Sequence, residues 1–268
     1  MLSFSIIIPN YNKEKYIEEC LNSIYSQTLD KNKFEVLFID DNSSDNSLDI
    51  VKKFPNVKVL HTNRLLAGGA RNAGIKAAQG KYLLFLDSDD FLASNDVLEK
   101  LYNQINDEDI IFLNYNRQTE NGTIFMQEKK SDLNYQVENI KTLACPTKCI
   151  KKDIVTLFDE KVYYEDVYFT LYAICNSKTY SFFDEPFYEY RYVPGSITKT
   201  EEISPKKMID VFIQITKLYY LCDEFPEYKD ALLKRIEKDK LKDRLDILNT
   251  YFSTERNTFY DKFKKNLH

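Results

Sequence analysis

The chain has no tryptophan, two histidines and three methionines, and it is short of backbone-breaking residues, with six glycines and seven prolines in 268 residues. So little Gly and Pro excludes collagen-like repeats and low-complexity linkers, and it makes each glycine worth explaining. The five cysteines are odd in number and not densely spaced. That argues against a disulfide framework and for reduced thiols in a cytoplasmic protein. Cys145 and Cys149 lie close together, but the imidazoles that could join them are only His61 and His268, which disfavours a structural zinc site. No apolar run approaches the ~18 residues of a membrane span. Met1 to Pro9 lacks the basic start and long apolar stretch of a signal peptide, so Ile6-Ile7-Ile8 reads as a core strand. A basic excess is also missing: 37 Lys and Arg against 42 Asp and Glu give a net charge of −5, the reverse of a nucleic-acid binder.

What the chain does have is a globular composition, 43% hydrophobic and 29% charged. At roughly 150 residues per domain, this length suits one large domain or two small ones. The first part alternates strand and helix. Strands are expected at Phe4–Ile8, Phe34–Ile39, Val57–Leu60, Tyr82–Leu86 and Ile110–Tyr115. Helices are expected at Glu14–Gln27, Ser47–Lys53, Arg71–Ala78 (closed by Gly80 as a C′ glycine) and Ser94–Ile105. That order implies a mostly parallel sheet with helices on both faces. From Asn116 to Tyr164 the pattern is irregular, with edge strands near Thr123–Gln127. A helix over Asp166–Cys175, strands at Thr179–Phe183 and Phe187–Tyr192, and a turn at Pro194-Gly195-Ser196 follow. Beyond Glu201 the pattern is purely helical, with Met208, Val211, Phe212, Ile215, Leu218, Tyr219 and Cys222 on one stripe. After Pro226 a second stripe runs through Leu233, Ile236, Leu241, Leu245, Leu248, Tyr251 and Phe252. The expected division is therefore an α/β domain over 1–200 and a helical extension over 201–268. Residues 199–268 carry 15 basic and 13 acidic side chains. This slightly basic tail fits a helical hairpin packed on the main domain, a homodimer contact, or peripheral contact with anionic lipid at the inner membrane face.

Ligands of parallel sheets sit beyond the carboxyl ends of the strands. Three such ends carry unusual chemistry: Pro9-Asn10-Tyr11, Asp40-Asp41 and Asp87-Ser88-Asp89-Asp90. Three carboxylates in four residues repel one another unless a cation neutralises them, and a hard divalent cation bridging to phosphate does this well. Helix capping accounts for one or two of the acids, not all three. One carboxylate of Asp40-Asp41 can accept from a nucleobase N–H or a ribose hydroxyl, or simply cap a turn. Tyr11 can stack on a base or lie on the surface. Gly68-Gly69-Ala70-Arg71-Asn72-Ala73-Gly74 opens a helix, but it is neither a Walker A loop nor Gly-x-Gly-x-x-Gly. Its glycines suit close backbone approach or helix–sheet packing, and Arg71 can pair with a phosphate or hold the acids.

Together these stretches resemble the family 2 glycosyltransferases, which have the GT-A fold. The resemblance rests on Ser5-Ile6-Ile7-Ile8-Pro9-Asn10-Tyr11-Asn12, Phe38-Ile39-Asp40-Asp41-Asn42-Ser43-Ser44-Asp45, Gly69-Ala70-Arg71-Asn72-Ala73-Gly74 and Tyr82-Leu83-Leu84-Phe85-Leu86-Asp87-Ser88-Asp89-Asp90, in order across about the first hundred residues. It implies a nucleotide-sugar donor, a UDP-sugar, with Pro9 and Tyr11 at the base and Asp41 reading it. Asp87 and Asp89 would be the Asp-x-Asp pair for the ribose and for Mn²⁺ or Mg²⁺. Asp90 would face the donor sugar, and Arg71 would support the diphosphate. Downstream, Pro146-Thr147-Lys148-Cys149 stands where relatives often carry an aromatic residue before the Lys. Glu165-Asp166 resembles a Glu-Asp motif at a helix start, with Asp166 as catalytic base, although without the resemblance plain helix capping is the better account of the pair. Tyr190-Arg191-Tyr192 and Gly195-Ser196-Ile197-Thr198 resemble a segment closing over the diphosphate, with Arg191 or Lys199 assisting departure.

The implied reaction is a single displacement at the anomeric carbon with inversion. Asp166 would take the proton of an acceptor hydroxyl on a glycan or glycolipid, and Asp89 would hold the cation that offsets the leaving diphosphate. Cell-surface polysaccharide or glycolipid assembly follows by analogy. Two other classes compete. A nucleotidyltransferase also uses sheet-end acids, but its Gly-rich, Lys/Arg-containing loop after the first strand is missing. The acids that close two of these strand ends, Asp40-Asp41 and Asp87-Ser88-Asp89-Asp90, argue against a non-catalytic sugar-nucleotide-binding protein.

Overall fold

The computed structural model describes residues 2–193 and 205–238, with backbone alone at Pro205 and Met208. Its elements in chain order are β1 (Phe4–Asn10), α1 (Glu14–Tyr25), β2 (Phe34–Asp40), α2 (Ser47–Val51), β3 (Val57–His61), α3 (Leu66–Ala77), β4 (Tyr82–Phe85), β5 (Phe91–Leu92), α4 (Val97–Gln104), β6 (Ile110–Thr119), β7 (Gly122–Met126), α5 (Leu133–Asn139), β8 (Lys148–Lys151), α6 (Asp166–Cys175), β9 (Tyr180–Tyr190), α7 (Pro205–Glu224) and α8 (Lys229–Lys238). One sheet runs β3-β2-β1-β4-β8-β6-β9-β5, with β7 beside β6. The β3-β2-β1-β4 half is parallel. Beyond β4 the sheet is mixed, because β8 runs antiparallel to both β4 and β6 while β9 is parallel to β6.

Side chains alternate faces along a strand, and here both faces are covered. Phe4, Ile6 and Ile8 of β1 pack with Ile17, Leu21 and Ile24 of α1 and Val97, Leu98 and Leu101 of α4. Ile7, between them, packs on the opposite face with α3, α6, α7 and α8, through Ile75, Phe169, Leu218 and Leu232. Burial on both sides is why β1 reads as an uninterrupted apolar run. α7 and α8 share one apolar cluster with the sheet. No helix among the described residues is long and apolar enough to cross a membrane. All five cysteines are free and buried.

Three sequence expectations change. α3 starts at Leu66 rather than Arg71, so Gly68 and Gly69 lie within it. The cause is tertiary: Asp41 accepts from the Leu65 and Leu66 N–H groups and so caps the helix from a different strand end. Gly80 is not in the left-handed region, because the chain leaves α3 through an extended Ala78. A Cβ at Gly80 would lie 2.5 Å from Phe4 C and Ser5 N, so the glycine serves close approach to β1 rather than a C-cap. The two Tyr- and Phe-rich strands are one, β9. Register shifts flanking Asn114 of β6 absorb the Asp184-Glu185-Pro186 step, and Asn114 Nδ2 donates to Asp184 O there. The turn expected at Pro194-Gly195-Ser196, the motif at Ile197-Thr198, Lys199 and the stripe residues from Leu241 to Phe252 lie outside the described residues.

Candidate active site

In the parallel half, strand order reverses at β1, whose neighbours are β2 on one side and β4 on the other. A crevice opens beyond the carboxyl ends at such a reversal. It is a cavity of about 580 Å³ whose lining includes Pro9, Asn10, Tyr11, Lys13, Asp41, Arg64, Arg71, Asp87 and Asp89. Thus the expected Pro9, Tyr11, Asp41, Arg71, Asp87 and Asp89 share one cleft, although they come from three strand ends and a helix. Asp90, Asp166 and Arg191 do not line it.

Each acid has a local reason for its position. Asp40 pairs in register with Asn10, accepts from Asn10 Nδ2 and Ser43 N, and so ties the β1 and β2 ends together. Asp41 Oδ1 accepts from Thr62 Oγ1 at 2.7 Å and Leu65 N at 2.9 Å, and Oδ2 accepts from Leu66 N at 2.9 Å. These bonds hold a turn in which Arg64 and Leu66 both have positive φ, 56° and 61°, which for a leucine is strained. An ionised carboxylate has about four acceptor directions; among the described residues Asp41, which lines the cleft, uses three, leaving one on Oδ2. Tyr11 stands at the lip, with the Arg64 guanidinium 4.0 Å over its ring.

Arg71 is 3% exposed and is committed to the acids. Nη2 donates to Asp87 Oδ1 at 2.8 Å and Nη1 to Glu165 Oε1 at 2.6 Å, with Asp166 Oδ1 at 3.6 Å from Nη1. One guanidinium therefore spans the end of β4 and the start of α6. Burial, together with Asp166 beside it, pushes the Glu165 carboxyl up to about 7. Asp166 is the first residue of α6, and its Oδ1 is buried with no hydrogen-bond partner among the described residues. Asp90 faces inward. It accepts from Arg191 N, and burial, followed by Asp87, holds its carboxyl well above the usual range. Arg191 clamps this loop, donating from Nε to Asp89 O and from Nη2 to Glu19.

The residues that sequence reasoning passed over are Lys13, Arg64 and the strained turn at Leu66. Lys13 Nζ lies 2.5 Å from Asp89 Oδ2. The mutual repulsion of Asp87, Asp89 and Asp90 was the available signal, since lysines and arginines of the chain itself can relieve it. For a divalent cation, the donor chemistry fits: Asp87 and Asp89 offer hard oxygens on the cleft wall, and one of them already holds an ammonium. No group of three or more His, Cys, Asp or Glu side chains among the described residues could hold a metal ion. The remaining ligands would come from phosphate and water, the usual pattern for Mg²⁺.

A second cleft of about 620 Å³, tied to the first by the bond from Arg191 to Asp89 O, is lined by Tyr115, Tyr188, Tyr190, Tyr192, Arg117, Lys141 and Arg191 among others. Tyr115 and Tyr188 stack with centroids 5.2 Å apart. One wall is set by the fully buried Lys148, which donates to Thr142 O at 2.6 Å, Ala144 O at 3.1 Å and Thr147 Oγ1 at 2.6 Å. Thr170 of α6 donates to Leu143 O at 2.6 Å and joins this wall to the helix that carries Asp166.

The family model of glycosyl transferase family 2 matches residues 5–157. The chain is 30% identical over 273 residues to the poly(ribitol-phosphate) beta-N-acetylglucosaminyltransferase TarS of Staphylococcus aureus, covering 96% of this chain and 45% of that one. It thus spans less than half the length of that relative. With the glycosyltransferase GlyG of Streptococcus pneumoniae it shares 31% identity over 224 residues, 74% of this chain and 73% of the relative. The crystal structure of S. aureus TarS 1-349 in complex with UDP-GlcNAc matches at a TM-score of 0.67 and 29% identity, over 81% of this chain and 66% of that one.

Proposed function

The chain belongs to glycosyl transferase family 2, and on that premise we propose that it moves a sugar from a UDP-sugar to a hydroxyl of a glycan acceptor in cell-surface polymer synthesis, with inversion at the anomeric carbon. The observation that carries this reading is the meeting of Tyr11, Asp41, Asp87 and Asp89 in one cleft at the reversal of strand order. Tyr11 and Pro9 flank the base, and the one acceptor direction left on Asp41 suits a single N–H such as that of uracil. Asp87 receives the ribose. When bound through Asp87 and Asp89, Mn²⁺ or Mg²⁺ supplies charge neutralisation to the departing diphosphate. Arg71 acts by fixing Asp87 and Glu165, and Arg191 by fixing the loop that carries Asp89 and Asp90. The acceptor enters over the tyrosine-lined cleft, whose Arg117 and Lys141 suit an anionic glycan chain. A phosphate-bearing acceptor agrees with the relative that acts on poly(ribitol-phosphate).

Asp166 is the base. Its carboxylate takes the acceptor hydroxyl proton as that oxygen bonds to the anomeric carbon, and the bond from that carbon to the diphosphate oxygen breaks on the opposite side. No enzyme nucleophile is involved, so the product anomer is opposite to the donor's. The test is a panel of UDP-sugars with Mn²⁺ and a ribitol-phosphate acceptor, followed by UDP release and product NMR. Asp166→Asn should keep donor affinity and lose about 10²–10⁴-fold in turnover. Normal turnover in that variant, or a retained anomer, would refute the assignment.

A further inference from the structure

We propose that Lys13 is the resident counter-cation of the donor cleft: its ammonium holds Asp89 in the donor-free protein and passes to the diphosphate of the incoming nucleotide, which frees Asp89 for a divalent cation. The inference rests on the donor-site reading above and adds to it a coupling between metal and nucleotide that the chain itself imposes.

The starting observation is the ion pair from Lys13 Nζ to Asp89 Oδ2 at 2.5 Å, with both side chains partly exposed, 33% and 21%. It is the single hydrogen bond of this ammonium among the described residues, which otherwise lies 6.0 Å from the centroid of the Tyr16 ring, so two of its three donors have no hydrogen-bond partner there, on a side chain that lines the cleft. The backbone around it is fixed. Asn12 N donates to Ser43 Oγ, and Asn12 Oδ1 accepts from Ser44 N. Glu14 N donates to Asp45 Oδ2, and Glu14 Oε2 accepts from Asn46 N and Nδ2. The start of α1 is thus stapled to the loop after β2. What can move is the flexible four-carbon stem of Lys13, by rotamer change and without loop rearrangement.

A cation ligated by Asp89 would sit roughly 2.0–2.1 Å from a carboxylate oxygen if it were Mg²⁺. The ammonium now occupies the approach to Oδ2, and a cation on either oxygen of this carboxylate would lie close enough to it for the two to repel. Metal alone must therefore displace Lys13 without giving it a new partner, where the described residues supply too few ligands of their own. A nucleoside diphosphate removes both difficulties, since its oxygens complete the metal shell and accept the displaced ammonium. Metal and nucleotide should then tighten one another by the same factor, as linkage requires.

The experiment titrates Mn²⁺ into the full chain, with and without saturating UDP, following free Mn²⁺ by electron paramagnetic resonance and UDP by calorimetry. Wild type, Lys13→Met and Lys13→Arg are compared after thermal melts show that each folds. Wild type should bind Mn²⁺ weakly alone and at least about tenfold more tightly with UDP. Lys13→Met should bind Mn²⁺ alone roughly fivefold more tightly, the upper range for a partly exposed pair. Because metal alone already binds more tightly, the coupling factor of this variant shrinks; loss of the ammonium also weakens UDP binding with and without metal, while Lys13→Arg should keep the wild-type pattern. Lys13→Met with unchanged or weaker Mn²⁺ affinity, while UDP still binds, would overturn the proposal and leave the donor-site reading standing. If no variant binds UDP, the donor-site reading falls and takes this proposal with it.

Discussion

At Asp87, Asp89 and Asp90, charge repulsion is answered by Arg71, Lys13 and the backbone N–H of Arg191. The repulsion was legible from the four-residue stretch; the partners were not, because each lies 16 to 101 residues away along the chain. Lys148 shows the opposite arrangement, a buried cation held by three neutral oxygens. Burial lowers its pKa from 10.5 to about 8. Between those values the unfolded chain keeps a proton that the folded chain has released, so the stability this group contributes rises with pH. Urea unfolding at pH 7.5, 8.5 and 9.5 should show wild type gaining about 2 kcal/mol relative to Lys148→Met over that range. Parallel pH profiles for the two proteins would show that the ammonium does not titrate there.

α3 illustrates what an element owes to its neighbours. Its glycines were legible as unusual, and their reason is steric. A Cβ at Gly74 would come within 2.5 Å of Ile7 Cγ2 and 3.1 Å of Ile39 Cδ1, whereas at Gly80, beyond the helix, the obstacles are backbone atoms of β1. Isoleucine side chains can shift; a central strand cannot. Gly74→Ala should therefore cost about 1–3 kcal/mol and Gly80→Ala more, measured as urea midpoints at unchanged m. Equal effects would mean that both sites relax alike. The start of α3 is not legible for a related reason: Asp41, capping it from the end of β2, is a contact that helical periodicity does not encode.

Across the whole molecule, the helices after residue 205 close the core that β1, β2 and α3 begin. The contact reaches the site through Gln214, which is fully buried. Gln214 Nε2 donates to Asp159 Oδ2 at 2.6 Å, and Tyr168 N in α6 donates to Gln214 Oε1 at 3.2 Å. Asp210 accepts from Tyr163 N at 3.0 Å. These bonds brace the segment before α6, where Tyr164 has a φ of 63°. Gln214→Leu leaves the Tyr168 N–H unpaired and should cost about 1–3 kcal/mol in chemical denaturation. If α7 only leans on the domain, the loss would stay within about 0.5 kcal/mol.

Apart from the two-residue β5, the amino-acid sequence alone determined the order of strands and helices through β6, because burial on both faces makes β1, β2 and β4 largely apolar runs, closed by Pro9-Asn10 in β1 and by acids at the ends of β2 and β4. It also determined which strand ends carry chemistry, since clustered carboxylates need an explanation wherever they fall. Tertiary structure alone decided the mixed half of the sheet, the cap on α3 and the partner of each acid. Those depend on pairings between residues far apart in the chain, where neither periodicity nor local propensity carries information.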